Sequence, residues 1–292
     1  MKKKWIGIMV LGAIVICSLS ALSIGFTAGT IRQMDMPVGE PHLGYVKIQG
    51  ALMDALPILK QIRVLKEDQD LAGFLIRIDS PGGAVGAAQE IYRVIEELRA
   101  DSLPVIVSYG NVSASGGVYA SASATKIFSL PGTITGSVGV ITQFPQVDGV
   151  LDKLGVEMHT VKSGGVKDIA SPFRTPNKAD LEVMKAVIED SYDQFVESIV
   201  AYRDVKKDSV QHWADGRIFT GRVAKKIGLV DTLGGFHEAL AYAREVSGLT
   251  EEAPLIEFVG ERPFLESLVG EPLGELKEEF RTQGKGVFYL WK

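Results

Sequence analysis

Ser115 lies in Ser113-Ala114-Ser115-Gly116-Gly117-Val118-Tyr119, directly after the apolar run from Val105 to Tyr109. A serine at a strand-to-helix turn flanked by small residues exposes its hydroxyl, while the N–H of the next residue faces a developing oxyanion. The strict G-x-S-x-G pattern is absent, because Ser113 stands in its first position, and a helix N-cap explains Ser115 equally well. Upstream, Asp79-Ser80-Pro81-Gly82-Gly83 follows the apolar run from Phe74 to Ile78. Paired glycines there let backbone N–H groups approach an oxyanion or phosphate. A tight turn with Asp79 or Ser80 capping the next helix is the alternative.

A nucleophilic serine needs a base. His42, His159, His212 and His237 sit in unrelated settings, none with HExxH or other metal-ligand spacing, and each reads as a surface or capping residue. Lysine serves if burial keeps its amine neutral; bringing it from about 10.4 to near 7 costs about 5 kcal/mol, which demands a dry site. Lys162 and Lys167 stand in a third glycine-bearing stretch, Lys162-Ser163-Gly164-Gly165-Val166-Lys167-Asp168-Ile169-Ala170-Ser171-Pro172-Phe173. Asp168 opposes neutralisation of Lys167 if both point the same way, and spacing alone favours solvated lysines. Ser123-Ala124-Thr125-Lys126 fits the S-x-x-K pattern of penicillin-binding proteins, with Tyr109-Gly110-Asn111 and Lys162-Ser163-Gly164 as loose companions. There the Tyr/Ser-x-Asn element follows S-x-x-K; here it precedes it, and Lys126 leads into an apolar strand.

The elements that must position these residues alternate. Strands are expected at 43–49, 71–78, 104–108 and 126–130, and helices at 52–67, 85–100 and from about Ser115. Repeated βα units require a largely parallel sheet with crossover helices, so the core is α/β. All three glycine-rich stretches fall at strand ends, where open α/β sheets hold their sites. A helix from Asn177 to about Val205 carries Met184, Val187, Ile188, Tyr192, Phe195, Ile199 and Tyr202 at helical spacing, a core or subunit-contact stripe.

With 292 residues the chain holds about two average domains, or one large α/β domain with an appendage. A net charge of −5 gives no broad basic surface, so no nucleic-acid partner is expected. The one cysteine, Cys17, excludes an internal disulfide and a four-thiolate zinc cluster. Lys2, Lys3 and Lys4 precede an uncharged run from Trp5 to Phe26. As a helix that run measures about 33 Å, enough to cross a bilayer core, with the lysines on the cytoplasmic side. A cleavable signal peptide ending at Ala21-Leu22-Ser23 competes, but the apolar run continues past that site.

Together these segments resemble the signal peptide peptidase A (SppA) family of membrane-anchored serine proteases, whose core has the ClpP/crotonase fold. The resemblance is ordered: IRIDSPGG at 76–83, VSASGGVYAS at 112–121, TITGSVGV at 133–140, SGGVKDIASPFR at 163–174 and GRIFTGRVAKKIGLVDTLGG at 216–235. It implies Ser115 as nucleophile, Lys167 as general base, Ser137 as a supporting proton shuttle, and the backbone N–H groups of Gly83 and Gly116 as oxyanion hole. It implies no metal and no cofactor. Because short relatives carry one copy of the domain, it implies a homo-oligomeric ring whose subunits share active sites. The substrates it implies are peptides, cleaved signal peptides above all. The expected organisation is a cytoplasmic N-terminus at 1–4, a transmembrane anchor at 5–26, a linker at 27–42, a ClpP/crotonase-like peptidase domain at 43–248 and a C-terminal tail at 249–292. The catalytic domain is expected outside the cytoplasmic face of the cell membrane. A crotonase-type acyl-CoA enzyme and a non-catalytic membrane-tethered scaffold are the alternatives.

Overall fold

The computed structural model describes residues 39–258 and 288–290. The chain runs β1 (His42–Gln49), α1 (Leu56–Lys66), β2 (Leu71–Ser80), β3 (Gly82–Ala84), α2 (Val85–Ala100), β4 (Val105–Ala114), α3 (Gly116–Ser121), β5 (Lys126–Ser129) and β6 (Ile134–Gly136). It continues through α4 (Asp148–Leu154), α5 (Lys178–Tyr202), α6 (Lys207–Val210), β7 (Ile218–Thr220), α7 (Gly221–Lys226), β8 (Thr232–Leu233), α8 (Phe236–Val246), β9 (Leu255–Glu257) and β10 (Phe288–Leu290). Each helix starts where its sequence allows: Pro57 occupies the first turn of α1, and Asn177 and Asp180 form a reciprocal capping box on α5.

The main sheet runs β7-β6-β4-β2-β1-β9, with β5 and β8 branching from β4. Its pairings are parallel except β6 with β7. The central strand β2 is covered on both faces, which is why it reads as a near-continuous apolar run. Phe74, Ile76 and Ile78 face the core shared with α1 and α2, and Leu75 faces the cluster formed with Ala239 and Ala243 of α8. Each such fully buried apolar side chain contributes about 1.5–3 kcal/mol. Helices therefore cover both sides, and the strand ends are left to carry the site.

β4 outruns its expected end at Ser108 and reaches Ala114. Its first half pairs with β5, at Ile106–Ser108, and its second half with β6, at Val112–Ala114. The division follows from Asp79, where the β2–β4 register shifts. The Asp79 carboxylate accepts the N–H of Val112 at 3.1 Å and the side-chain amide of Asn111 at 3.1 Å. Gly110 makes this possible, since a Cβ there would stand 2.6 Å from Asp79 Oδ2.

The transmembrane helix expected at 5–26 lies outside the described residues, and among those described no helix is long and apolar enough to cross a membrane. The longest, α5, carries Asp180, Glu182, Lys185, Glu189 and Asp193, each costing about 2.5–3.5 kcal/mol near a bilayer centre. The fold class is corrected accordingly to α/β without a membrane-spanning helix among the described residues. The membrane-anchored function, the membrane partner and the single-pass localisation expected from that anchor are withdrawn with it. Part of the segment read as a tail joins the sheets: β9 pairs with β1, and β10 lies antiparallel on β3.

Candidate active site

Three parallel strands, β2, β4 and β6, deliver the candidate residues other than Lys167 to one end of the sheet. Ser80 pairs with Ser113, so Gly83 and Ser115 both follow closely beyond the ends of β2 and β4. Ala114 pairs with Gly136, so Ser115 and Ser137 stand one step past a paired position on adjacent strands. The Ser115 N–H donates to the Gly136 carbonyl at 2.8 Å, and the Ser137 N–H donates to the Arg217 carbonyl at 2.8 Å. Both serines take positive φ, 53° and 52°, in the left-handed region that L-residues avoid.

Ser115 occupies the N-cap position of α3, yet its side chain makes no capping hydrogen bond. Its Oγ is buried without a hydrogen-bond partner. An orphaned buried hydroxyl on a turn of unfavourable φ is better suited to an incoming reactant than to a structural role. Gly116 opens α3, where first-turn N–H groups lack intrahelical acceptors. The helix is held in place from below: Tyr109 and Ser121 share a hydrogen bond of 2.8 Å, and Ser121 Oγ donates to the Gly117 carbonyl. Burial pushes the Tyr109 phenol up to about 12, so it stays neutral there.

Gly83 lies on β3, bridged to Leu52; the Leu52 N–H donates to the Gly82 carbonyl and the Ala84 N–H donates to the Leu52 carbonyl, each at 2.8 Å. An added Cβ at Gly83 would come within 2.0 Å of the Leu52 oxygen, so only glycine permits this approach. Neither Asp79 nor Ser80 caps α2: Asp79 binds β4, and Ser80 Oγ donates to the Gly50 carbonyl at 2.6 Å. Lys126 does not join Ser123. Its ammonium lies 4.0 Å from the Tyr242 ring centroid, and Ser123 Oγ donates to the Tyr92 carbonyl.

Lys167 stands apart. It is exposed on a turn closed by its own N–H donating to the Gly164 carbonyl at 3.2 Å, within a run from Gly155 that is exposed throughout. One protomer thus brings together Gly83, Ser115, Gly116 and Ser137 and leaves Lys167 unbonded to Ser115. Lys162 binds Asp168 at 2.6 Å. Asp79, named above only as a possible cap, instead braces β4, and the Arg174 contacts with Asp168 and Asp180 were not singled out by spacing. The Asn177–Asp180 capping signature was the available signal for Asp180.

Residues 97–250 match peptidase family S49, and residues 47–135 match Clp protease. A Synechocystis sp. protein carrying a protease name, slr0021, is 37% identical over 77% of this chain and 82% of its own length. An Enterococcus faecium protein named for signal peptide peptidase SppA is 35% identical over 74% of this chain and 63% of its own. The chloroplastic serine protease SPPA of Arabidopsis thaliana is 30% identical over 78% of this chain, which spans 33% of that longer protein. Their sequences and the serine-bearing strand ends lead to one conclusion: the chain belongs to peptidase family S49, serine proteases that act through a serine–lysine pair, and is a hydrolase of peptide bonds.

Proposed function

We propose that the protein is an endopeptidase that cleaves extended peptides by acyl-enzyme chemistry, with Ser115 as nucleophile and Lys167 of an adjoining protomer as base. The neutral amine takes the Ser115 proton as Oγ attacks the scissile carbonyl, and Ser137 relays that proton. The N–H groups of Gly83 and Gly116 receive the oxyanion. The amine then protonates the leaving nitrogen, and water, activated by the same amine, releases the acyl group. Apolar signal-peptide remnants are the substrate class that the name of the E. faecium relative suggests.

The observation carrying this reading is the buried, unbonded Oγ of Ser115 beside a strand edge that binds extended chain. Phe288, Tyr289 and Leu290 of the same chain pair there with Ala84, Gly83 and Gly82, and this strand pairing supports β3 as the edge on which an extended substrate would lie. A shared site also accounts for the exposed apolar residues around Lys167, among them Leu154 at 70%, Met158 at 50% and Val161 at 100%. Hydrolysis of an internally quenched apolar peptide by the wild-type protein, lost in Ser115→Ala, is the result expected. Unchanged turnover by Ser115→Ala would end the assignment.

A further inference from the structure

The turn bearing Lys167 is exposed, and something must fix where the amine is presented. Its root is α5, whose Phe195 and Ile199 are buried in the core while the half before Asp190 is mostly exposed. At the start of that half the Asp180 side chain is fully buried; its carboxylate accepts the Asn177 N–H at 2.9 Å and is bound by Arg174 Nη1 and, at 3.0 Å, Nη2. The other edge of the same guanidinium grips Asp168, next to Lys167, through Nε at 2.8 Å and Nη2 at 2.7 Å. Lys162 takes the remaining demand of Asp168 at 2.6 Å. Asp168 is thus occupied by two cations and is not left to pair with the Lys167 ammonium. The turn's bonds, Lys167 N–H to the Gly164 carbonyl and Ser171 N–H to the Asp168 carbonyl, lie on either side of this contact.

We propose that Arg174 is a positioning residue for the base: forked between Asp180 on the rooted helix and Asp168 beside Lys167, it sets where the amine meets the neighbouring serine. The inference rests on Lys167 being that base. A planar fork can hold two carboxylates at fixed separation, which a lysine ammonium cannot.

The test measures steady-state peptide hydrolysis by the assembled full-length protein and its Arg174→Gln, Arg174→Lys, Asp168→Asn and Lys167→Ala variants. Displacing a reacting group by about 1 Å costs on the order of 100-fold in rate. Arg174→Gln is therefore expected to lower kcat at least about tenfold with KM within about twofold, Arg174→Lys to recover part of the loss, and Asp168→Asn to lower kcat also. Amide exchange at 164–171 should quicken in Arg174→Gln while the core amides stay protected. If Arg174→Gln does not assemble, Asp168→Asn decides, because it leaves the Arg174–Asp180 contact in place. An inactive Lys167→Ala together with wild-type kcat in Arg174→Gln or, failing its assembly, in Asp168→Asn overturns this inference alone. Full activity in Lys167→Ala overturns the serine–lysine reading as well.

Discussion

Ser115 adopts a backbone conformation that costs a non-glycine residue about 1–3 kcal/mol, and Ser137, one strand away, also has a positive φ. Among the described residues nothing in the polar network uses the Ser115 hydroxyl, so Ser115→Ala should retain the fold and melting temperature while peptide hydrolysis is abolished. Lys167→Ala, on an exposed turn, should behave likewise, whereas Ser137→Ala should slow kcat about 10- to 100-fold, the loss of a relay rather than of the base. Circular dichroism with a turnover assay separates these outcomes from unfolding. Arg174 holds the Asp168 carboxyl well below the usual carboxylate range, with Lys162 adding to the effect, and holds Asp180 down together with the Asn177 N–H. A depressed carboxyl stabilises the folded state above its unfolded value near 4 and loses that contribution as pH falls through the folded value. The stability difference between wild type and Arg174→Gln should accordingly be largest near neutral pH and shrink in acid, as urea unfolding at several pH values would show. The strand-end positions of Ser115, Gly83 and Gly116 were legible from the apolar runs that precede them, whereas their proposed roles came from the resemblance and not from local spacing. The bracing by Asp79 was not legible, since its partners Asn111 and Val112 come from another strand and only the fold brings them together.

At the level of elements, β3 is the piece on which the site depends. Gly83→Ala drives a methyl group into the Leu52 carbonyl, and the shift it forces should cost about 1–3 kcal/mol and most of the activity. A thermal melt of that variant within a degree of wild type would contradict the close approach. Because β10 already pairs with β3, a chain ending before Gly286 should show a KM lowered severalfold with kcat little changed. An unchanged KM would mean that substrate and β10 use different edges. The βα alternation was readable from apolar runs, and α2 falls at the expected 85–100. The extension of β4 to Ala114 was hidden because the apolar run stops at Tyr109, while Asp79 supplies the acceptors that carry the strand across Asn111 and Val112. β10 could not be anticipated: three residues far from β3 in sequence carry no local sign of their partner.

For the whole molecule, the mixed charge pattern and the long apolar and charged exposures around residues 150–187 suit contact between copies of the chain rather than nucleic-acid binding. Within one protomer the proposed nucleophile, Ser115, is buried at the end of β4, and the proposed base, Lys167, is exposed on its turn. An assembly that places this turn of one subunit against the β4 end of the next would supply both the base and the dry surroundings it requires. That claim is tested most directly by mixing two inactive proteins, Ser115→Ala and Lys167→Ala, under conditions that let subunits exchange. Random mixing places an intact serine beside an intact lysine in about one site in four, so about a quarter of wild-type activity should return. A mixture that exchanges subunits and stays as inactive as its parents would contradict a base supplied from the neighbouring protomer.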